Sequence, residues 1–430
     1  MDKKDCSVMI LHNALYLPRT IRCFLSEPGS LRTGESAIMI NMLKPAILSL
    51  SLLTIISTTA VAPALGEIEE YFYNVDRYIV QFVVVMHAVA IIPSLVAATW
   101  LAGRFTKKRV VVVGLFLFVI SGVTGGMVNN IYVLLFLRAV LGVGLGMVIP
   151  FSTALIADFF EGEERQRLMG LSSSLNMVGG MFALITSGYL ATFSWRFPFM
   201  IYLCGVPVFI MIALFLPDKK DMVEKDEGKI KTPFPKHVYK VAFLMLLLST
   251  LLFIYTPTMA LFLKDNVLGD SRVAGFAIAF ATTGGIFAGL FLPRTLRLTG
   301  RFFVPSMLFV ISIGFLLLNN AGVIALVFGA TFITGFGNRS MYPVFFLKAT
   351  QGIPRSYSVK ATSILSATIY IGQFLAPNLQ KFVGYVFNNP SIRFLYLFVA
   401  AVTFISGVFI MSQKILDMLR KSAATETKSL

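Results

Sequence analysis

Little in this sequence is charged, and less of it is reactive. Of 430 residues 13% are Asp, Glu, Lys or Arg, and there are three cysteines, three histidines and two tryptophans. A soluble domain carries roughly 25% charge. A chain of this length folded as two or three soluble domains would lack the polar surface to cover them. Cys6, Cys23 and Cys204 are too few and too scattered for a disulfide framework or a zinc site. There is no His-Glu-x-x-His, no His-x-x-x-x-Asp acyltransferase pair, no pair of intramembrane aspartates and no aspartate-rich diphosphate site. An intramembrane enzyme would need one of these, so the chain is read as no enzyme, with no cofactor and no metal. One more absence bears on substrate: no Asp or Glu stands inside any long apolar run, and Glu67 and Asp158 lie at the ends of theirs.

What the sequence has in quantity is apolar length. Hydrophobic residues make up 57%, gathered in stretches of about 20 residues that can each cross a hydrocarbon core of roughly 30 Å. Twelve such segments are expected, at about 45–65, 78–102, 109–128, 131–155, 167–192, 197–216, 241–263, 273–293, 303–320, 322–347, 358–385 and 393–413. They repeat at an offset of about 190 residues. Leu117-Phe118-Val119-Ile120-Ser121 returns as Leu308-Phe309-Val310-Ile311-Ser312, Asn129-Asn130 as Asn319-Asn320, and Gly144-Leu145-Gly146 as Gly335-Phe336-Gly337. Pro63 in segment 1 has an echo in Pro257 of segment 7. The fold class is therefore an all-α membrane protein with twelve transmembrane helices in two six-helix bundles, 42–217 and 241–415. Two parallel copies of a helical bundle are the build of an alternating-access transporter.

The net charge of +16 is not a nucleic-acid surface. Basic residues crowd alternate loops: Arg104 to Arg109, Arg165 with Arg167, the linker 218–240, Arg294 to Arg301, Arg355 with Lys360, and Arg420 with Lys421. The loops between them hold few. This bias puts the linker and both termini, including the tail 416–430, in the cytoplasm. Residues 1–41 are mixed in polarity and look foreign to the rest. They are expected to be either a start placed too far upstream, with Met39 or Met42 as the true one, or a cytoplasmic N-terminal segment.

Three local signals resemble the major facilitator superfamily, over about residues 42–415. The loop Thr99-Trp100-Leu101-Ala102-Gly103-Arg104-Phe105-Thr106-Lys107-Lys108 is similar to the family's Gly-x-Leu-Ala-Asp-Arg-x-Gly-Arg-Arg motif. Arg138 with Gly142, Gly144 and Gly146 resembles its helix 4 motif. The stretch from Asp158 through Arg165 to Trp195-Arg196-Phe197 resembles bacterial drug:proton antiporters. The departures are Gly103 where the family has aspartate, and Ala183 to Gly188 where antiporters have Gly-Pro and paired glycines. The resemblance implies the major facilitator fold and a monomer in the bacterial cytoplasmic membrane. It also implies secondary transport of a small solute by alternating access, with proton-coupled efflux of a drug or metabolite and protons as coupling ion. Uptake of an organic anion by symport or facilitation is the alternative, and a transporter-like sensor a remote one.

The working residues are those a membrane makes expensive. A cation within a span costs at least about 2.5 kcal/mol, so Arg138 and Arg339 need compensation. For Arg138 this is either a set of backbone carbonyls of segment 1 or a place in a polar cavity. His87 is the span residue whose ordinary pKa near 6.5 suits it to carry a proton. Asn176, Tyr370, Gln373 and Asn378 offer hydrogen bonds to solute or between helices. Arg138, Arg339 and His87 with no deep carboxylate make a neutral to positive path, which favours anionic, zwitterionic or neutral solutes. Arg104, Lys107, Lys108 and Asp158 are the candidate gating charges, with Arg104 expected to pair with Asp158 at the cytoplasmic face and steady the outward-open state.

Overall fold

A computed structural model describes residues 33–218, 235–353 and 355–429. Most of the foreign N-terminal segment and of the linker lie outside the described residues. Among those residues the chain is helical, with no strand. The N-terminal half runs α1 (Thr33–Thr59), α2 (Leu65–Tyr71), α3 (Arg77–Ala102), α4 (Lys107–Thr124), α5 (Ile131–Phe159), α6 (Gly162–Ala191) and α7 (Gly205–Phe215). The C-terminal half runs α8 (Lys236–Leu252), α9 (Tyr255–Asp265), α10 (Ser271–Thr299), α11 (Phe303–Asn319), α12 (Ile324–Thr350), α13 (Arg355–Val386) and α14 (Ile392–Ser429).

Helix stands at every expected segment, because a backbone in hydrocarbon must satisfy its own polar groups. Eight helical stretches among the described residues are long and apolar enough to cross a membrane. Segments 8 and 9 count there as one, Ser271–Asn319. Segments 3, 10 and 11 are helical but fall short of that measure; α4, for one, opens on Lys107, Lys108 and Arg109.

Three segments are not single helices. Segment 1 breaks between α1 and α2, where a short 3-10 turn, Ala62–Ala64, carries Pro63. Segment 7 breaks at Phe253 and Ile254, ahead of Pro257. Proline has no N–H to give and crowds the carbonyl four residues back, so the same residue marks both breaks. Segment 6 starts as 3-10 helix, Phe197–Cys204, and continues as α7.

Small residues bring helices close at matching places in the repeat. A methyl group on Gly142 of α5 would collide with the backbone carbonyl of His87 on α3, and one on Gly335 of α12 with that of Ala281 on α10. Polar clamps repeat as well. Arg196 gives hydrogen bonds to the carbonyls of Gly126 (2.9 Å) and Val128 (3.1 Å) and to the Asn129 side chain. Arg393 gives them to the carbonyls of Asn319 and Ala321 and to Asn266. Each arginine opens the last segment of its half and ties down the loop between the third and fourth segments.

The halves meet at one face of the molecule. Arg77 pairs with Asp265 (2.8 Å) as well as with its neighbour Glu69 (3.0 Å). Lys264 reaches Glu70 and the carbonyl of Gly66, both at 3.1 Å. Ser271 donates to Glu67 at 3.3 Å, and Lys381 stands 3.7 Å from Asp76. Below this belt Phe82 packs on Phe374, and Gly188 of α6 lies against Ser271 and Gly275 of α10.

Candidate functional site

Arg138 sits on the inner face of α5, 2% exposed. Its Nε donates to the carbonyl of Val83 on α3 at 2.7 Å, and one terminal nitrogen to the Tyr202 hydroxyl at 2.5 Å. Tyr202 donates in turn to the carbonyl of Ser57 on α1 at 3.2 Å. One chain of polar contacts therefore staples α1, α3, α5 and segment 6. Hydrogen bonds to a charged group contribute about 1.5–3 kcal/mol each, which offsets the cost of the cation. The carbonyl it takes directly belongs to α3 rather than to segment 1, one of the two alternatives the sequence left open; segment 1 is reached through Tyr202. The second terminal nitrogen, Nη2, has no hydrogen-bond partner.

His87 lies one helical turn beyond Val83 and is 1% exposed. Neither of its ring nitrogens has a hydrogen bond of ordinary geometry. A buried polar ring without a partner is unfavourable, and among the described residues the N-terminal half leaves such groups on Arg138, His87 and the Gln81 side-chain amide.

In the C-terminal half the unpartnered groups are neutral. Among the described residues they are Ser249 Oγ on α8, Asn338 Oδ1 and the Tyr342 hydroxyl on α12, and Gln380 Oε1 on α13. The first three gather beside the break in segment 7. Arg339, Ser249, Tyr255 and Asn338 all act on the Tyr342 phenol, though Ser249 and Asn338 stop short of hydrogen-bond geometry. Arg339 is exposed and packs its stem against Gly285 of α10. Gly372 of α13 lies directly on Ser249.

The other candidates are spread more widely. Asn176 on α6 is half-buried and donates to the Thr54 hydroxyl of α1 at 3.1 Å. On α13, Gln373 is buried, Tyr370 half-buried and Asn378 exposed, with its amide on the Phe374 carbonyl at 3.2 Å. At the far face Asp158 takes Lys107 at 2.7 Å, while Arg104 stacks 3.9 Å over the Trp100 ring. Lys108 is half-buried in the first turn of α4. Asp158 thus holds Lys107 in this conformation, and the Arg104–Asp158 pair is the one expected of the outward-open state. Residues 107 and 104 flank Thr106, which caps α4; the cap turns Lys107 toward α5 and leaves Arg104 in the loop.

Sequence reasoning missed Tyr202, Ser249 and Tyr342. Tyr202 falls in segment 6, 64 residues from the arginine it serves. Ser249 reads as a serine folded back on its own helix. The signal that could have found it is Pro257, which frees backbone just beyond it.

A model of the Major Facilitator Superfamily matches residues 47–377. Quinolone resistance protein NorA of Staphylococcus aureus is 30% identical over 197 residues, 44% of this chain and 50% of the relative. Multidrug transporter AQR1 of Candida glabrata is 27% identical over 174 residues, 40% of this chain and 29% of the relative. The chain thus spans half or less of the length of these curated relatives. Among solved structures, the xylose transporter XylE from E. coli superposes with a TM-score of 0.64 at 17% identity, covering 87% of this chain and 96% of that one. Nucleoside transporter NupG gives 0.67 at 11% identity, covering 86% and 98%. At these identities the likeness is one of fold.

Proposed function

The chain belongs to the Major Facilitator Superfamily, a multi-pass membrane protein, and from that premise we propose that it is a secondary transporter moving a small organic solute by alternating access. The proposal takes twelve spans in two bundles, 42–217 and 241–415, acting as a monomer in a bacterial cytoplasmic membrane. Both termini and the linker 218–240 lie in the cytoplasm. The observation that carries it is the belt of contacts between halves at one face, from Glu67 and Glu70 to Lys264, Asp265 and Lys381. By the charge bias that face is external. Halves sealed at the outer face correspond to the inward-facing stage of the cycle, and breaking the belt opens the path outward.

The direction proposed is proton-coupled efflux. His87 is the carrier, with Arg138 beside it holding the site's geometry and charge. Lys107 and Asp158 belong to the cytoplasmic gate, with Arg104 and Lys108 in the same loop, and Arg104 is free to take Asp158 when that face closes. Asn176, Arg339, Tyr370, Gln373 and Asn378 line the solute's path. Uptake of an organic anion is the second reading, favoured by Arg138 and Arg339 in spans that hold no deep carboxylate.

The test is flux in proteoliposomes under an imposed pH gradient, with a quinolone and with ethidium, a permanent cation. Wild type is expected to accumulate the quinolone and handle ethidium poorly. His87→Gln should abolish pH-driven accumulation and leave counterflow exchange. Proton-driven ethidium export by His87→Gln would refute both the charge preference and the carrier.

A further inference from the structure

Resting on the transporter reading above, we propose that Ser249, Asn338 and Tyr342, at the break in segment 7, form with Arg339 an anchoring subsite for a solute carboxylate that has a hydrogen-bond donor beside it. The first argument is what the two halves do with the same defect. Both segment 1 and segment 7 are broken near a proline, and each break frees backbone and side-chain polar groups. In the N-terminal half the groups around the break are taken up internally. Ser187 of α6 donates to the Ala60 carbonyl, and Tyr202 to that of Ser57. In the C-terminal half, Ser249 Oγ, Asn338 Oδ1 and the Tyr342 hydroxyl are buried and face one another short of hydrogen-bond geometry, with no other partner among the described residues. Ser249 is 0% and Asn338 4% exposed. Buried polar atoms are kept in native chains where water or a ligand completes them. A discontinuous membrane helix is where transporters of this kind of build place their ligands.

The second argument is sign. Three neutral oxygens alone would also suit a cation. Arg339, next to Asn338 in sequence and close enough to act by its charge on the Tyr342 phenol, opposes one, and no Asp or Glu occurs in α8, α12 or α13. The negative charge must come with the solute. A guanidinium takes a carboxylate through two parallel bonds, and the Ser249 and Tyr342 hydroxyls add donors. Asn338 Oδ1 is an acceptor left over, which calls for a donor on the solute next to its carboxylate. Arg339 is exposed, Tyr342 half-buried and Ser249 buried, so exposure falls along the cluster from the charge to the serine.

The probes are salicylate, which has a hydroxyl beside its carboxylate, and salicylamide, which keeps the ring and hydroxyl without the charge. Radiolabelled salicylate binding to the full chain in nanodiscs is expected to saturate, with salicylamide at least tenfold weaker as a competitor. Arg339→Gln should weaken salicylate at least tenfold at an unchanged melting temperature. Arg339→Lys should recover only part of it, because the two-pronged contact is gone. Ser249→Ala and Tyr342→Phe should each weaken it severalfold. No saturable salicylate binding to wild type, equal competition by salicylamide, or wild-type binding by Arg339→Gln overturns the subsite. If it falls while quinolone flux in proteoliposomes persists, transport stands and only the subsite is lost. If that flux is absent as well, the transporter reading falls with it.

Discussion

Arg138 in the N-terminal half and Thr331 in the C-terminal half hold the same place in the repeat, 193 residues apart by the register of the close contacts at Gly142 and Gly335. Arg138 reaches across its half to Tyr202 and Val83; Thr331 is buried and its hydroxyl donates to the Phe328 carbonyl of its own helix at 3.0 Å. Tyr396 takes the part of Tyr202, joining the last segment to the first, but its partner is the Thr258 hydroxyl at 3.0 Å and no charge is involved. The C-terminal half keeps its cation one face round, as exposed Arg339, and leaves its neutral polar groups unpaired. A duplicated scaffold has thus divided its labour. One half uses its arginine to hold helices together, and the other keeps its arginine available.

The sharpest way to break this comparison is through what the halves share. Gly142→Val and Gly335→Val each drive a side chain into a backbone carbonyl of the neighbouring helix. Overpacking of that kind costs about 3 kcal/mol, and equal losses are expected in thermal melts of the detergent-solubilised protein. A large effect in one half alone would mean that the close contact does not repeat.

The tyrosines should then part the halves. Tyr202→Phe removes a partner from a buried charge and is expected to cost about 1.5–3 kcal/mol; Tyr396→Phe loses a neutral bond, for about 0.5–1.5 kcal/mol. The same melts check this, and a larger loss at Tyr396 would reverse the assignment.

Much of this was open to reading in the sequence, and the gaps have physical causes. Apolar length alone located every helix from α3 onward, since hydrocarbon leaves the backbone no alternative. The expense of Arg138 was legible; its partner was not, because Tyr202 arrives through packing of a distant segment and no local period announces it. Pro63 and Pro257 hinted at both breaks, yet only the structure shows that the groups at one are satisfied and those at the other are not. Lys107 and Arg104 are equivalent cations in one loop until the Thr106 cap turns them apart.

Two smaller effects sharpen the picture at the ends of helices. Asp76 caps α3 and Asp270 caps α10, each accepting from backbone N–H groups. At Asp270 partial burial pushes the carboxyl upward, but the hydrogen bonds from the Arg272 side chain and the backbone of Val273 and Arg272 outweigh it and hold it below its ordinary value. A depressed carboxylate contributes stability above its unfolded pKa of about 3.9 and loses it as pH falls through the folded value. Asp270→Ala should cost about 1 kcal/mol at neutral pH, and the gap to wild type should close below about pH 4. A gap that persists at low pH would assign the effect to something other than the charge. The Lys107–Asp158 pair is partly exposed and is expected to contribute about 0.2–1 kcal/mol. Lys107→Ala should therefore leave the melt nearly unchanged, and its effect should appear in transport rate.

The division of labour is tested most directly by melting three proteins side by side: wild type, Arg138→Gln and Arg339→Gln, each with and without salicylate. Arg138→Gln should lower the melting temperature of the free protein, by the equivalent of about 2–4 kcal/mol, and still be stabilised by salicylate. Arg339→Gln should melt with wild type when free and gain nothing from salicylate. An Arg138→Gln protein as stable as wild type, or an Arg339→Gln protein that salicylate still stabilises, would contradict the account.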